Sequence, residues 1–437
     1  MALNYIWVSF FVLGFLMAVV RVVGYYFREF FLQNWNIVFT TEDLNIFNTI
    51  IGSVFSSAQA SVTLSIGLIG AMALWLGIMK IGEEGGAVNV LARLMGPFFH
   101  RLFPEVPKEH PANGSMLMNF SANLLGLDNA ATPLGLKAMN QLQEINPDKE
   151  KASNAQIMFL VLNTSGLTLI PVSIMALRAA GGSVNPSDIF IPILITTFFS
   201  SITGLVAVSI IQKINLLDKV ILAYLLGGIV LMGGIIYYFV NLPDEQVGPI
   251  SSLLGNGIIF SIIIAFLLMG LRKKINLFNT FIDGAKDGFG IAIKIIPYLV
   301  AMLVAIGVFR ASGAMDLLLA GIEGIFNGLN YVLAAVGFTW QINTDFIPGL
   351  PVALMKPLSG SGARGLFAET METYGVDSFV GRLAATFQGS TETTFFVLAV
   401  YFGSVGIKRT RYALGAGLIA DFAGIIAAIF VAYIFFR

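Results

Sequence analysis

The chain of 437 residues contains no cysteine and only two histidines, His100 and His110. The absence of cysteine excludes disulfides, thiolate metal sites and cysteine nucleophiles. Charged residues make up only 11% of the chain, whereas soluble domains contain about 25%. The 25 basic and 25 acidic residues balance, which argues against nucleic-acid binding or a polybasic lipid anchor.

Hydrophobic residues are abundant at 57% of the chain, and the mean hydropathy is +0.84. These values indicate an integral membrane protein. The first apolar run lacks a basic leader and a small-residue cleavage site, so we expect a retained helix rather than a signal peptide. Uninterrupted runs long enough to span a bilayer lie at 4–27, 61–80, 187–211, 219–240, 249–271, 291–310 and 412–436.

Short sequence matches recur in the same order in the two halves of the chain. "IFNTII" at 46–51 returns as "LFNTFI" at 277–282, and "NTSGLTL" at 163–169 aligns with "QGSTETT" at 388–394. Such self-similarity predicts a duplicated unit. We therefore divide the chain into an N-terminal helix, a first repeat, a central two-helix connector and a second repeat, at 1–43, 44–213, 214–274 and 275–437.

The basic residues predict that the two repeats have opposite orientations. Lys213, Lys219 and the run 272–274 indicate cytoplasmic loops, because such loops are enriched in Lys and Arg, and the acidic stretch 241–248 indicates an external one. The last helix of the first repeat then runs inward, whereas the equivalent helix follows the basic "KRTR" at 408–411 and runs outward.

Each repeat also contains apolar segments that Gly, Pro and polar residues interrupt. They predict a re-entrant hairpin turning within 126–135 and another within 356–365, with crossing helices broken at 163–166 and 388–393. The expected fold is an all-α polytopic membrane protein with two inverted-topology repeats, about nine full spans and two hairpins. Breaks persist in a membrane only inside protein or beside water, so the four breaks predict a polar mid-membrane chamber.

Glu392 is the most unusual residue of these segments, because a carboxylate at bilayer depth costs about 3 kcal/mol. No Lys or Arg lies within four residues of it, so it is either protonated or paired with Lys356 or Arg364 of the neighbouring hairpin. The predicted substrate- and ion-binding residues lie at the four breaks: Asn123, Asp128, Asn129, Thr132, Asn163, Thr164, Ser165, Thr168, Ser359, Ser361, Arg364, Gln388, Ser390, Thr391, Glu392 and Thr393.

Each of the four breaks also has a structural explanation, although Glu392 is the hardest residue to explain in this way. Ser and Thr in membrane helices commonly bond back to a carbonyl one turn earlier, Asp128 with Asn129 can cap a helix, and Arg364 can snorkel to the interface. Ser359 or Ser361 could form a catalytic Ser–Lys dyad with Lys356, but the sequence offers no group that would form its oxyanion hole. We therefore expect no enzyme, no metal site and no cofactor apart from H⁺ or Na⁺ as a coupling ion.

Five stretches resemble known families. Residues 119–143 and 163–178 resemble the spore maturation A family. Residues 296–316, 350–365 and 378–414 resemble the spore maturation B family. Both are nucleoside-recognition or gate proteins, similar to part of the concentrative nucleoside transporters and to the gates of a ferrous-iron transporter. The resemblance implies a fusion of the two, in the bacterial cytoplasmic (inner) membrane, with paired hairpins and unwound helices. In a spore-forming host it also implies a role in core dehydration.

The predicted function is secondary transport of a small polar organic solute, such as a nucleoside, amino acid or organic anion. The alternatives are an inorganic-ion permease or gate, and a non-transporting membrane partner of a cell-wall or sporulation enzyme. The expected partners are the solute and the bilayer, without nucleic acid, and both a homodimer and a homotrimer are compatible with the sequence.

Overall fold

The structure, a computed structural model, describes residues 2–339 and 341–436, with the side chains of residues 2, 3 and 128–130 outside that description. It is 79% helix and has no strands among the described residues. The chain opens with α1 (Ala2–Tyr26) and two short helices, α2 (Arg28–Trp35) and α3 (Thr41–Leu44).

The first half then contains seven helices, and a pair of long helices follows it. The seven are α4 (Ile46–Gly85), α5 (Ala87–Leu102), α6 (Pro111–Leu124), α7 (Asp128–Glu144), α8 (Asn154–Thr164), α9 (Val172–Ala180) and α10 (Phe190–Gln212). The pair is α11 (Lys219–Val240) and α12 (Asp244–Arg272).

The second half repeats this order of long, short and broken helices. It consists of α13 (Leu277–Ala311), α14 (Ala314–Ala335), a 3₁₀ turn (Ile347–Gly349), α15 (Leu350–Met355), α16 (Gly360–Tyr374), α17 (Phe379–Gly389), α18 (Thr394–Ser404) and α19 (Ala413–Phe435). The equivalent helices α8 and α17 begin in the same way, because the Ser153 and Ser378 hydroxyls accept backbone N–H groups at 3.2 and 3.0 Å.

Eight of the described helices are long and apolar enough to cross a membrane. They include all seven predicted spans, and α14 is the eighth. Helix α4 is longer than the predicted span 61–80 because its polar residues do not interrupt it. In the added part the Ser56 hydroxyl donates to the Ser53 carbonyl oxygen at 3.2 Å, and the Ser57 carbonyl oxygen accepts from the Ser61 hydroxyl at 2.6 Å. These hydroxyls are therefore satisfied within the helix.

Equivalent helices of the two halves pack against each other in antiparallel pairs. Gly77 of α4 lies against Phe281 of α13, and Gly288 of α13 lies against Met72 of α4. In the second pair, Gly424 of α19 lies against Ser200 of α10, whereas Gly204 lies against Ala420. This pairing is compatible with inverted repeats, and both the repeats and their orientation in the membrane stay predictions.

Ion pairs join the connecting segments of the two halves at two ends of the molecule. At one end Arg409 contacts Asp148 at 2.8 Å and Lys408 contacts Glu150 at 2.6 Å. At the other end the fully buried Arg178 contacts both Asp188 and Asp377. The first two contacts link segments predicted to be cytoplasmic, whereas Arg178 joins segments predicted to be external.

Candidate functional site

Backbone hydrogen bonds hold the four breaks together at the centre of the structure. The Glu392 N–H donates to the Thr164 carbonyl at 2.8 Å, which joins the two broken crossings. The Leu169 N–H donates to Leu124 of the first hairpin at 2.7 Å, and the Phe395 N–H donates to Pro357 of the second at 3.0 Å. Each break therefore satisfies backbone groups of another.

Glycine permits this close approach at two positions of the first repeat. Gly166 has a φ of 60°, and a Cβ there would lie 3.1 Å from the Glu392 nitrogen. Gly126, at the hairpin turn, has a φ of 72°, and a Cβ would lie 2.5 Å from the Ile170 carbonyl oxygen. Larger residues disfavour positive φ, so these positions need glycine for both conformation and space.

The breaks lie where the sequence predicts them, although two of their boundaries are wrong. The first hairpin turns within 125–127 and α7 begins at Asp128, so Pro133 lies inside a helix and not in the turn. The first crossing is interrupted from 165 to 171 rather than at 163–166. Its break is longer because it combines the positive φ of Gly166 with Pro171, which directly precedes α9.

A cavity of about 70 Å³ lies between the breaks, and we call it the chamber. Six predicted site residues line it: Asn123, Thr168, Arg364, Gln388, Thr391 and Glu392. The rest of its wall consists of Lys356, of residues 170–174, which include the first turn of α9, and of Gly126, Gly166 and Gly389. Ser361 does not line the chamber, but it lies beside Arg364 on an adjoining cavity.

Several predicted residues bond back to their own backbone. The hydroxyls of Thr164, Ser165 and Ser390 donate to carbonyl oxygens three residues earlier, at 3.1, 3.2 and 2.8 Å. Ser359 accepts the Gly362 N–H and caps α16. The structural explanation therefore holds for these four, although Thr168, which bonds to Gly166, still lines the chamber.

The remaining predicted site residues do not lie together in the structure. Thr393 is buried, whereas Thr132 is exposed. The backbone of Asp128 and Asn129 forms the first turn of α7, but their side chains lie outside the described ones.

Glu392 is exposed on the wall of the chamber, and its role in binding a substrate or an ion stays a prediction. The helix ends before it, at Gly389, and resumes at Thr394. The break therefore turns the carboxylate toward a polar cavity instead of lipid. Arg364 and Lys356 line the same cavity, but no ion pair joins Glu392 to Arg364 among the described residues.

A polar network behind the chamber includes two residues that the sequence analysis missed. Asn163 accepts hydrogen bonds from Asn123 at 2.7 Å and from the Tyr401 hydroxyl at 3.3 Å. Tyr401 also accepts from Asn119 at 3.3 Å. Asn119 lies one turn before Asn123 on the hairpin, a spacing that would have identified it. A tyrosine in an apolar run gives no comparable signal.

The sequence analysis also missed the carboxylate of Asp421, which is only 2% exposed within α19. It accepts a hydrogen bond from Thr394 at 2.7 Å, directly after the break in the second crossing. It is the one acidic residue within an otherwise apolar span. This isolated carboxylate in the sequence could have identified Asp421 as a candidate site residue. No group of three or more His, Cys, Asp or Glu side chains in the described part of the chain could hold a metal ion.

Comparison with known proteins identifies the family. Residues 65–181 match the Gate family, described as nucleoside recognition. Spore maturation protein A of Bacillus subtilis (strain 168) is 44% identical over 154 residues, which are 35% of this chain and 79% of that protein. Spore maturation protein B of the same organism is 44% identical over 175 residues, which are 40% of this chain and 90% of that protein.

The two relatives match different parts of the chain, as a fusion requires. No solved structure matches the chain. With its helical membrane architecture and its Gate match, this chain belongs to the spore maturation A and B family of multi-pass membrane proteins, in which it joins an A-like and a B-like part.

Proposed function

We propose that the protein is a secondary transporter that moves a small polar organic solute by alternating access around the chamber. The observation that carries this proposal is the 2.8 Å hydrogen bond from Glu392 to Thr164, which joins the breaks of two crossings beside a polar cavity. Broken helices with exposed backbone groups form the binding sites of secondary transporters. The protein would act in the bacterial cytoplasmic membrane, without a cofactor.

The charges of the chamber suit ion coupling. Glu392 exposes a carboxylate to the cavity, and Arg364 and Lys356 bring positive charge to the same wall. A carboxylate at a mid-membrane site is a typical binding group for H⁺ or Na⁺. We therefore assign the coupling ion to Glu392 and the polar groups of the solute to the remainder of the chamber.

Flux in proteoliposomes tests this assignment. Labelled nucleosides, amino acids and organic anions are offered under an H⁺ or a Na⁺ gradient, and we expect at least one to accumulate. Glu392→Gln should abolish the dependence on the gradient, because it removes the ionisable group. Glu245→Gln, at an exposed position at the start of α12, is the matched control and should behave as wild type.

Two results would contradict the proposal in different ways. If transport by wild type and by Glu392→Gln depends equally on the gradient, Glu392 does not bind the coupling ion. Absence of flux for every organic solute would reject the transporter itself.

The small size of the chamber favours one alternative, an inorganic-ion permease. A volume of about 70 Å³ holds an ion with a few waters more readily than a nucleoside. Cation flux that no organic solute alters would support this alternative.

A further inference from the structure

Arg364 lies where three cavities meet. Besides the chamber, it lines a cavity of about 230 Å³ between α4, α9 and α13, and another of about 250 Å³ along α13. The 230 Å³ cavity has a mainly apolar wall, and we call this part the apolar cleft: Leu68, Met72, Leu76, Leu177, Ile295 and Leu299. A polar chamber and an apolar cleft thus share one guanidinium group.

The charge of Arg364 has no partner among the residues that the structure describes. The other arginines of the interior are paired, since Arg178 contacts Asp188 and Asp377, and Arg310 contacts Glu369. Arg364 is half-buried, and a buried charge is costly unless an opposite charge or hydrogen bonds compensate it. An anion from outside the chain would supply this compensation.

Gln388 is a second, independent sign of a ligand. Its side chain is 4% exposed and lines the chamber, and its carbonyl oxygen Oε1 accepts no hydrogen bond from any described group. Buried polar atoms are rarely left unsatisfied, and this acceptor oxygen needs a donor, such as a water molecule that also donates to the head of an anionic ligand. The first turn of α9 lines the same chamber, and helix N-termini favour negative charge.

We infer that the site takes an amphipathic organic anion, with a carboxylate or phosphate head on Arg364 beside the first turn of α9 and an apolar body in the apolar cleft. Glu392 lines the same chamber and repels a second negative charge, so the head remains at Arg364. Lys294 lines the 250 Å³ cavity and adds positive charge to it. The inference rests on the proposed function in taking the chamber as the ligand site, and it narrows the solute class.

Equilibrium binding of octanoate to the full-length protein in nanodiscs of zwitterionic lipid tests the inference without requiring transport. We expect saturable binding that strengthens about fourfold for each methylene added from butyrate to octanoate, the increment for burying one methylene. Octanamide, which has the same body without the charge, should bind at least tenfold more weakly.

Substitutions then locate the binding site. Arg364→Gln should weaken octanoate binding at least tenfold, whereas Arg364→Lys retains part of the binding because it keeps the charge. Arg93→Gln makes the same charge change at an exposed position of α5 and should bind as wild type. Ile295→Trp, which fills the apolar cleft, should remove the dependence of binding on chain length. Melting curves confirm that each variant is folded.

Equal binding by wild type and folded Arg364→Gln would overturn the inference, as would equal affinity for butyrate and octanoate. Either result would leave the transporter proposal intact if proteoliposomes still accumulate a hydrophilic solute. A competition experiment distinguishes a natural ligand that comes from the bilayer from one that comes from solution, since both can carry the same anionic head. If anionic phosphatidylglycerol in the nanodisc displaces octanoate, the natural ligand comes from the bilayer. If it does not, the ligand comes from solution. Both results support the amphipathic site.

Discussion

At the scale of single residues, the polar side chains of the breaks divide into two groups. The hydroxyls of Thr164, Ser165 and Ser390 bond within their own helices and explain how the helices end. Gln388 and Glu392 instead line the chamber, although they lie only a few residues away. Residue type therefore does not separate structural from functional groups. The direction of the side chain at the end of each half-helix does.

Gly166→Ala tests how strongly the two breaks depend on their close approach. We expect a loss of about 1–3 kcal/mol in the free energy of unfolding, the usual cost of a sparsely populated backbone conformation. Denaturation in detergent measures it. Gly70→Ala is the control, because a Cβ at Gly70 meets no atom within 4 Å and alanine favours the helix. Equal stability of both variants would contradict the role of Gly166.

At the scale of helices, the two hairpins are held differently. Arg310 of α13 forms an ion pair with Glu369 of α16 and donates to it from a second nitrogen at 3.1 Å. In the alignment of "LGIMKIG" at 76–82 with "IGVFRAS" at 306–312, the residue of α4 that matches Arg310 is Lys80. Lys80 contacts Glu83 and Glu84 of its own helix at 3.3 and 3.9 Å. The second hairpin is therefore attached to the long helix of its repeat by a buried ion pair that Lys80 does not reproduce in the first.

Glu369→Leu should destabilise the protein by about 3–5 kcal/mol, because breaking a buried ion pair leaves an uncompensated charge. The double variant Arg310→Met/Glu369→Leu removes both charges and should recover most of that loss. A double-mutant cycle measured by denaturation gives the coupling energy. Additive effects of the two substitutions would show that the pair does not hold the hairpin to α13.

At the scale of the whole molecule, the two halves are joined at both ends and at the central breaks. At the end predicted to be external, Asp377 of the second half accepts hydrogen bonds from the Ser183 hydroxyl at 2.6 Å and from the Val184 N–H at 2.9 Å. Partial burial would raise the pKa of Asp377, but these bonds and the charge of Arg178 outweigh it and hold the pKa below its ordinary value of 3.8.

This lowered pKa predicts loss of stability in acid. The contribution of Asp377 is present above pH 3.8, its ordinary value, and disappears as the pH falls through the lower pKa of the folded state. Asp377→Asn should therefore be less stable than wild type at neutral pH, and the difference should shrink below about pH 4. Unfolding measured in detergent between pH 3 and 7 tests this, and a difference that does not change with pH would contradict it.

The sequence was sufficient for the fold class, because spans and breaks depend on local composition. Long apolar runs predicted seven of the eight candidate spans, and Gly, Pro and hydroxyl residues located all four breaks. Helix α14 was missed because Asp316 and Glu323 interrupt its apolar sequence. The residue matches between the halves also predicted the equivalence of Ser165 and Ser390, whose hydroxyls make the same local bond.

By itself, the sequence determined which segments are apolar, where the helical hydrogen bonds stop and which family the chain resembles. These properties depend on neighbouring residues and on motif identity. Only the tertiary structure decided which polar groups share a cavity, because that depends on contacts between residues far apart in the chain. It brought Glu392 to Thr164, left Arg364 between a polar chamber and an apolar cleft, and placed Asp421 beside Thr394.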